Sequence, residues 1–320
     1  MAPTLSAFTL PQAVAETFIV ALFYGFYLIT TCYANRWLFF ADEGWKLRKN
    51  IHWFMAVMTN LLATLSLVNM TMILRDTISQ STFVEEGHRP EEYVFASWVA
   101  PVGCVLANLI ALVSDVVLIY RLWVVYGRRL RVICFPVFLW AGGIVCTVLQ
   151  AYLQVKHIHD PDFGPYQWAS VNMSVGPGIV LIPFWGSTVI LNAYSTGLLI
   201  RRIRKASGEG ENPTMAKQLR HLLRILMESG ILYLAVSIAH FFVWFGQDNF
   251  AIHVVGGLNL IIMAIAFNLI LIRTANSRAE GEEAEHHDTG MSAIHFKSKP
   301  TMIPVEYQSS LETESAVYPS

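Results

Sequence analysis

The sequence predicts an all-α polytopic membrane protein: a seven-transmembrane helix bundle with its N-terminus outside and its C-terminus cytosolic. Three observations lead there. Of 320 residues, 54% are hydrophobic and only 14% charged, with a mean hydropathy of +0.47. A soluble globular domain carries about 25% charged residues. Apolar runs recur seven times, each near the ~20 residues that a helix rising about 1.5 Å per residue needs to cross ~30 Å of hydrocarbon. If those runs are spans, 17 of the 22 Lys and Arg fall in the segments on one side and 3 on the other. Such a bias puts the basic side in the cytosol.

Residues 1–12 form a short extracellular N-terminus without Lys or Arg, and so without the basic start of a cleavable signal peptide. The seven-helix domain is 13–273, and its first span is about 13–34. A basic loop with Arg36, Lys46, Arg48 and Lys49 follows, flanked by Trp37, Trp45 and Trp53, which suit the headgroup level. The second span, 52–74, leads into an acidic loop over 75–93. The third, 98–124, is followed by the basic knot Arg128, Arg129 and Arg131. A short turn joins it to the fourth span, 132–155.

The fifth span, 175–200, carries Pro177 and Pro183 in its first turns, where freed carbonyls and a kink are expected. It ends in Arg201, Arg202, Arg204 and Lys205. Lys217, Arg220 and Arg224 then recur at helical spacing and open the sixth helix, whose span is 222–245. The seventh is 251–272. Residues 274–320 are polar, acidic around Glu280 to Asp288, and predicted to be a disordered cytosolic tail. Cys32, Cys104, Cys134 and Cys146 all sit in or at the ends of apolar segments, so no disulfide framework is expected.

Several kinds of chemistry fail on inspection. None of the seven spans contains a lysine, which excludes a retinal Schiff base. A seven-helix zinc hydrolase needs about three histidines and a carboxylate on one leaflet, and the embedded candidates reduce to His240 and His253, with His52 on the opposite side. His157, His159, Asp160 and Asp162 read as a solvated turn before a surface metal site. No metal, no cofactor and no catalytic constellation is therefore expected, and a net charge of -1 gives no footprint for nucleic acid.

Asp115 and Arg121 stand out because a charge inside a span costs several kcal/mol unless it pairs, snorkels or meets water. Six residues apart, they lie about 120° round the helix and cannot stack on each other. One reading makes Asp115, Arg121 and Glu228 a conformational switch, with Arg121 of the third helix latched to Glu228 of the sixth. The other has Arg121 snorkelling to the headgroups and both carboxyls protonated. Asn60, Asn69, Asn108, Asn192, Asn259 and Asn268 are expected to bond between helices. In the outer half, Trp98, Trp185, His240, Trp244 and Asn259 are candidates for a ligand pocket.

Asn172-Met173-Ser174 is a glycosylation sequon on the outer side, though Asn172 so close to the fifth span is equally a helix-cap residue. Arg204-Lys205-Ala206-Ser207 matches a basic-directed phosphorylation site at Ser207. The basic ends Arg128, Arg129, Arg201, Arg202, Arg204 and Lys205 would present a face to an acidic cytosolic partner such as a G protein; topological anchoring alone explains most of that charge.

The run SDVVLIYRLWVVYGRR from Ser114 to Arg129, with an acidic residue, a Tyr-Arg pair, an aromatic and a basic pair, resembles the third-helix signature of the seven-transmembrane, GPCR-like proteins of mushroom-forming (basidiomycete) fungi. STGLLIRRIR at the end of the fifth helix and Arg273 at the end of the seventh agree with that pattern. The resemblance spans the membrane part and implies architecture more than activity, in a group largely uncharacterised. The chain departs from the best-known receptors: Tyr120-Arg121 lacks an adjacent acid, the seventh helix reads AFNLILIR, and the second outer loop has no cysteine to tether Cys104. The function expected is a plasma-membrane receptor-like protein that senses an extracellular small molecule or lipid. The alternative is a transporter or lipid-handling carrier, which would need a polar path and often shows internal repeats; no convincing repeat is present.

Overall fold

The computed structural model describes residues 9–40, 53–88, 98–157, 178–208, 230–243, 245 and 249–296. Within them lie seven α-helices. They are α1 (Leu10–Phe39), α2 (Trp53–Glu85), α3 (Val99–Val125), α4 (Leu130–His157), α5 (Gly178–Gly208), α6 (Gly230–Val243) and α7 (Asn249–Phe296). Five of them (α1, α2, α3, α4 and the Phe250–Arg273 part of α7) are long and apolar enough to cross a membrane. The chain is an integral membrane protein on that ground. α5 is 31 residues long, but Ser187, Thr188, Asn192, Ser195 and Thr196 dilute its apolar character.

Large side chains point outward as lipid-facing residues do: Phe18, Trp53, Phe138, Val148 and Phe242 are each more than 60% exposed. In water such a surface would be an aggregation hazard. α4 carries much of it and buries a narrow stripe that includes Thr147, Gln150 and Gln154.

α3 is the helix the others surround. It packs on α2, α4 and α5, and buries Ile110, Ala111, Leu112 and Val117 among Leu62, Phe184, Trp185, Met263 and Phe267. Its C-terminus turns sharply, which is why α4 can return as a neighbour. Gly127 (φ 64°) and Arg128 (φ 61°) are both left-handed. The Arg128 N–H donates to the Trp123 carbonyl at 2.8 Å, closing the helix end. Arg128 lacks glycine's freedom there, and its guanidinium rests over the Trp123 ring at 5.6 Å.

Several boundaries differ from the sequence reading. α2 continues to Glu85, so Arg75 to Glu85 is helix where an acidic loop is predicted. Its polar residues pack into the bundle: Thr77 shares a 2.6 Å hydrogen bond with Thr17 of α1, Gln80 is buried, and Arg75 lies over the Trp98 ring at 4.7 Å. Gly87, with φ 88°, ends the helix, its N–H reaching the Val84 carbonyl. α5 runs on to Gly208.

α7 continues to Phe296, where the sequence predicts disorder from 274. A helix already nucleated by its apolar half propagates readily through Ala, Arg and Glu. The bundle unit extends to Ser277, and Arg278–Ser320 forms a second unit. All four cysteines are free.

Candidate functional site

The buried polar side chains of the bundle fall into connected groups, and most of those on α3, α5, α6 and α7 belong to one column. On α5, Thr188, Asn192, Ser195 and Thr196 recur at one helical face and are each at most 4% exposed. On α6, Tyr233, Ser237 and His240 recur at steps of four and three and are also buried. These two stripes meet α3 and α7.

At mid-depth the Asp115 carboxylate accepts hydrogen bonds from the Thr188 hydroxyl at 3.2 Å and the Tyr233 hydroxyl at 3.3 Å. One comes from α5 and one from α6, so a single α3 acid ties three helices. Asn192 Nδ2 beside it donates back to the Thr188 carbonyl at 2.8 Å. Two turns on, Arg121 is also buried. Its Nη2 donates to the Phe267 carbonyl of α7 at 3.3 Å, and its guanidinium lies 5.0 Å from the Phe267 ring. Gathering these groups offsets the cost of taking each from water.

Beside Arg121 is a cavity of about 30 Å³ whose walls include Thr196, Leu199, Gly230, Tyr233, Met263 and Phe267. It therefore borders α3, α5, α6 and α7.

Toward the other end of α6, the His240 ring stands edge-to-face on Trp185, with centroids 4.3 Å apart and planes at 90°. Asn259 Nδ2 donates to His240 Nδ1 at 3.2 Å, and the Ser237 hydroxyl donates to Asn259 Oδ1 at 3.4 Å. Gly256 leaves room for the imidazole: a Cβ there would approach Nε2 to 3.3 Å. Trp185, His240 and Asn259 are thus packed on one another, each at most 4% exposed.

Comparison of the chain with models of known protein families, with curated proteins and with solved structures finds no match. Its chemistry has to be read from its own geometry.

The structure brings together Asp115 and Arg121 as neighbours of one column, without placing them in direct contact. Glu228, the third member of the predicted switch, lies outside the described residues. Of the predicted pocket, Trp185, His240 and Asn259 assemble, whereas Trp98 is 45% exposed beneath Arg75, and Trp244 lies outside the described residues. Arg128, Arg129, Arg201, Arg202 and Lys205 are exposed at the ends of α3 and α5 and the start of α4. The side chains of Arg204 and Ser207, and Asn172 entirely, lie outside the described residues.

Asn108 donates to Gln150 of α4 at 2.7 Å, and Asn268 donates to Thr31 of α1 at 2.9 Å. Asn259 bonds α6, so three of the six asparagines bond between helices inside the core; the Asn60–Asn35 pair, at 3.4 Å, is more exposed. Sequence reasoning missed Thr188, Thr196, Tyr233 and Ser237. Their helical spacing carries the signal, as a polar stripe inside an apolar helix. It also missed the buried Glu16, whose Oε1 lies 3.8 Å from His253 Nδ1 of α7.

Proposed function

We propose that this protein is a seven-span membrane receptor of the GPCR-like kind found in mushroom-forming fungi, at the plasma membrane, with its N-terminus outside and its C-terminus cytosolic. It would sense a small molecule or lipid from the outer side and signal through its basic cytosolic ends to a G protein or another acidic partner. The observation that carries this reading is the α6 stripe. Tyr233 holds Asp115 of α3, while Ser237 and His240, one and two turns on, hold Asn259 of α7 and Trp185 of α5. A rotation or tilt of α6 would disturb both ends of the column together. That is the kind of bistable element a switch requires.

In this reading a ligand rearranges the Trp185–His240–Asn259 cluster, and α6 passes the change to Asp115 and the Arg121 cavity. Arg128, Arg129, Arg201 and Arg202 flank that end and supply charge for an acidic partner.

The test is a screen of volatile, lipid and peptide libraries for ligand-dependent G-protein dissociation in reconstituted membranes. A responding ligand should lose its effect in His240→Phe, which keeps a ring against Trp185 and removes the bond to Asn259. Silence across all three libraries, joined to ligand flux across the same vesicles, would replace the receptor with a carrier.

A further inference from the structure

Arg121 is only 9% exposed, and a guanidinium has five N–H donors. Among the described residues its one hydrogen bond is the 3.3 Å contact with the Phe267 carbonyl. A buried cation that meets a neutral carbonyl and a ring still lacks a counter-charge, and such a group is costly in a low-dielectric interior. Asp115 does not provide one. Its two oxygens are taken by Thr188 and Tyr233, and six positions of rise separate it from Arg121 by about 9 Å along the helix.

Arg121 lines a cavity of about 30 Å³. A water needs roughly 10–15 Å³ of such volume. The space therefore has room for a few waters or one small ion. The guanidinium selects against cations.

A second donor faces the same space. Thr196 lines the cavity and is 4% exposed, and its hydroxyl makes no hydrogen bond to a described residue. The opposing α6 position is Gly230, where a Cβ would come within 3.0 Å of Thr196 Oγ1. Of the remaining walls, Ser114 and Tyr233 are polar, but their hydroxyls are given to the Ile110 carbonyl and to Asp115; the rest, including Val117, Leu199 and Met263, are apolar, which strengthens any charge interaction made there.

We propose that this cavity binds a small monatomic anion, chloride in the cell, between the Arg121 guanidinium and the Thr196 hydroxyl. An anion there neutralises Arg121 and bridges α3 to α5 at a point that α6 and α7 also line. The proposal does not depend on the receptor reading, because it concerns only the packed bundle.

The full chain, purified in neutral detergent, would be titrated with radiolabelled chloride at constant ionic strength, with gluconate as the replacing anion. Saturable binding of one chloride per chain and a chloride-dependent rise in Tm are expected. Arg121→Gln should weaken binding at least about tenfold, as loss of a charge-assisted contact does. Thr196→Val should weaken it about fivefold, and Thr196→Ser should restore it. The serine and valine pair carries the test if Arg121→Gln fails to fold. Equal behaviour in chloride and gluconate would mean that the cavity holds water only and would overturn the proposal. So would chloride binding that Arg121→Gln leaves unchanged. Chloride binding that appears only in Glu228→Gln would assign the counter-charge to that carboxylate and overturn it equally.

Discussion

Asp115 shows what a lone acid does inside an apolar bundle. It accepts from two hydroxyls on two other helices, so its removal leaves both donors stranded. An unsatisfied buried donor costs about 1–3 kcal/mol. Asp115→Leu should therefore lower unfolding stability by about 2 kcal/mol or more, while Asp115→Asn, which keeps an acceptor oxygen, should cost less. Tyr233→Phe should cost about 1 kcal/mol in the unaltered chain and much less when Asp115 is already leucine. Thermal unfolding of the four proteins in detergent checks this. Additive losses would mean that the two side chains do not share the bond. Both residue types stand out in an apolar run, but only Asp115 draws attention by charge. Tyr233 reads as one more core aromatic until its hydroxyl is seen to have a target.

Close helix approach is decided by small residues at the contact, and the α1–α7 pair shows how little slack remains. A Cβ at Gly257 would lie 2.9 Å from Val20 Cγ2, and the stiff β-branched valine has few rotamers to escape into. Gly257→Ala should destabilise the bundle by about 1–3 kcal/mol through overpacking. Val20→Ala should recover much of that loss in the double variant, and thermal unfolding of the cycle would show it. If Gly257→Ala is as stable as the parent, α1 and α7 are not in this register.

α3 and α4 are held differently. Trp140 Nε1 donates to the Leu112 carbonyl at 3.1 Å, so Trp140→Phe should cost about 1 kcal/mol with little change in packing. A larger loss would point to a packing role instead. The long α2 belongs to this scale too. Residues 75–85 look like a loop by hydropathy, yet they remain helical, with Thr77 bonded to Thr17 of α1, Arg75 over the Trp98 ring beside α3, and Gln80 buried.

For the whole molecule, the predicted orientation is open to direct measurement. A tag fused before Met1 should be reached by antibody on intact cells, and one fused after Ser320 only after permeabilisation. The reverse pattern would invert the bundle and move the basic ends of α3 and α5 to the outer side. The exposed apolar belt should make the chain depend on detergent or lipid throughout, with aggregation on detergent removal.

Helix positions were largely legible in the sequence, because a stretch that must satisfy its own backbone in hydrocarbon advertises itself by length and apolarity. The chain by itself determined seven apolar runs, the three-residue basic knot after α3, and the oddity of Asp115 and Arg121. Which polar side chains meet was decided only by tertiary structure. Helical spacing shows which residues share a face, but not which helix that face turns toward. Thr188, Tyr233 and Ser237 became a column only when α5 and α6 were packed against α3 and α7. Packing likewise closed Trp185, His240 and Asn259 into contact, and left the space beside Arg121. A cavity belongs to several helices at once, and no one segment encodes it.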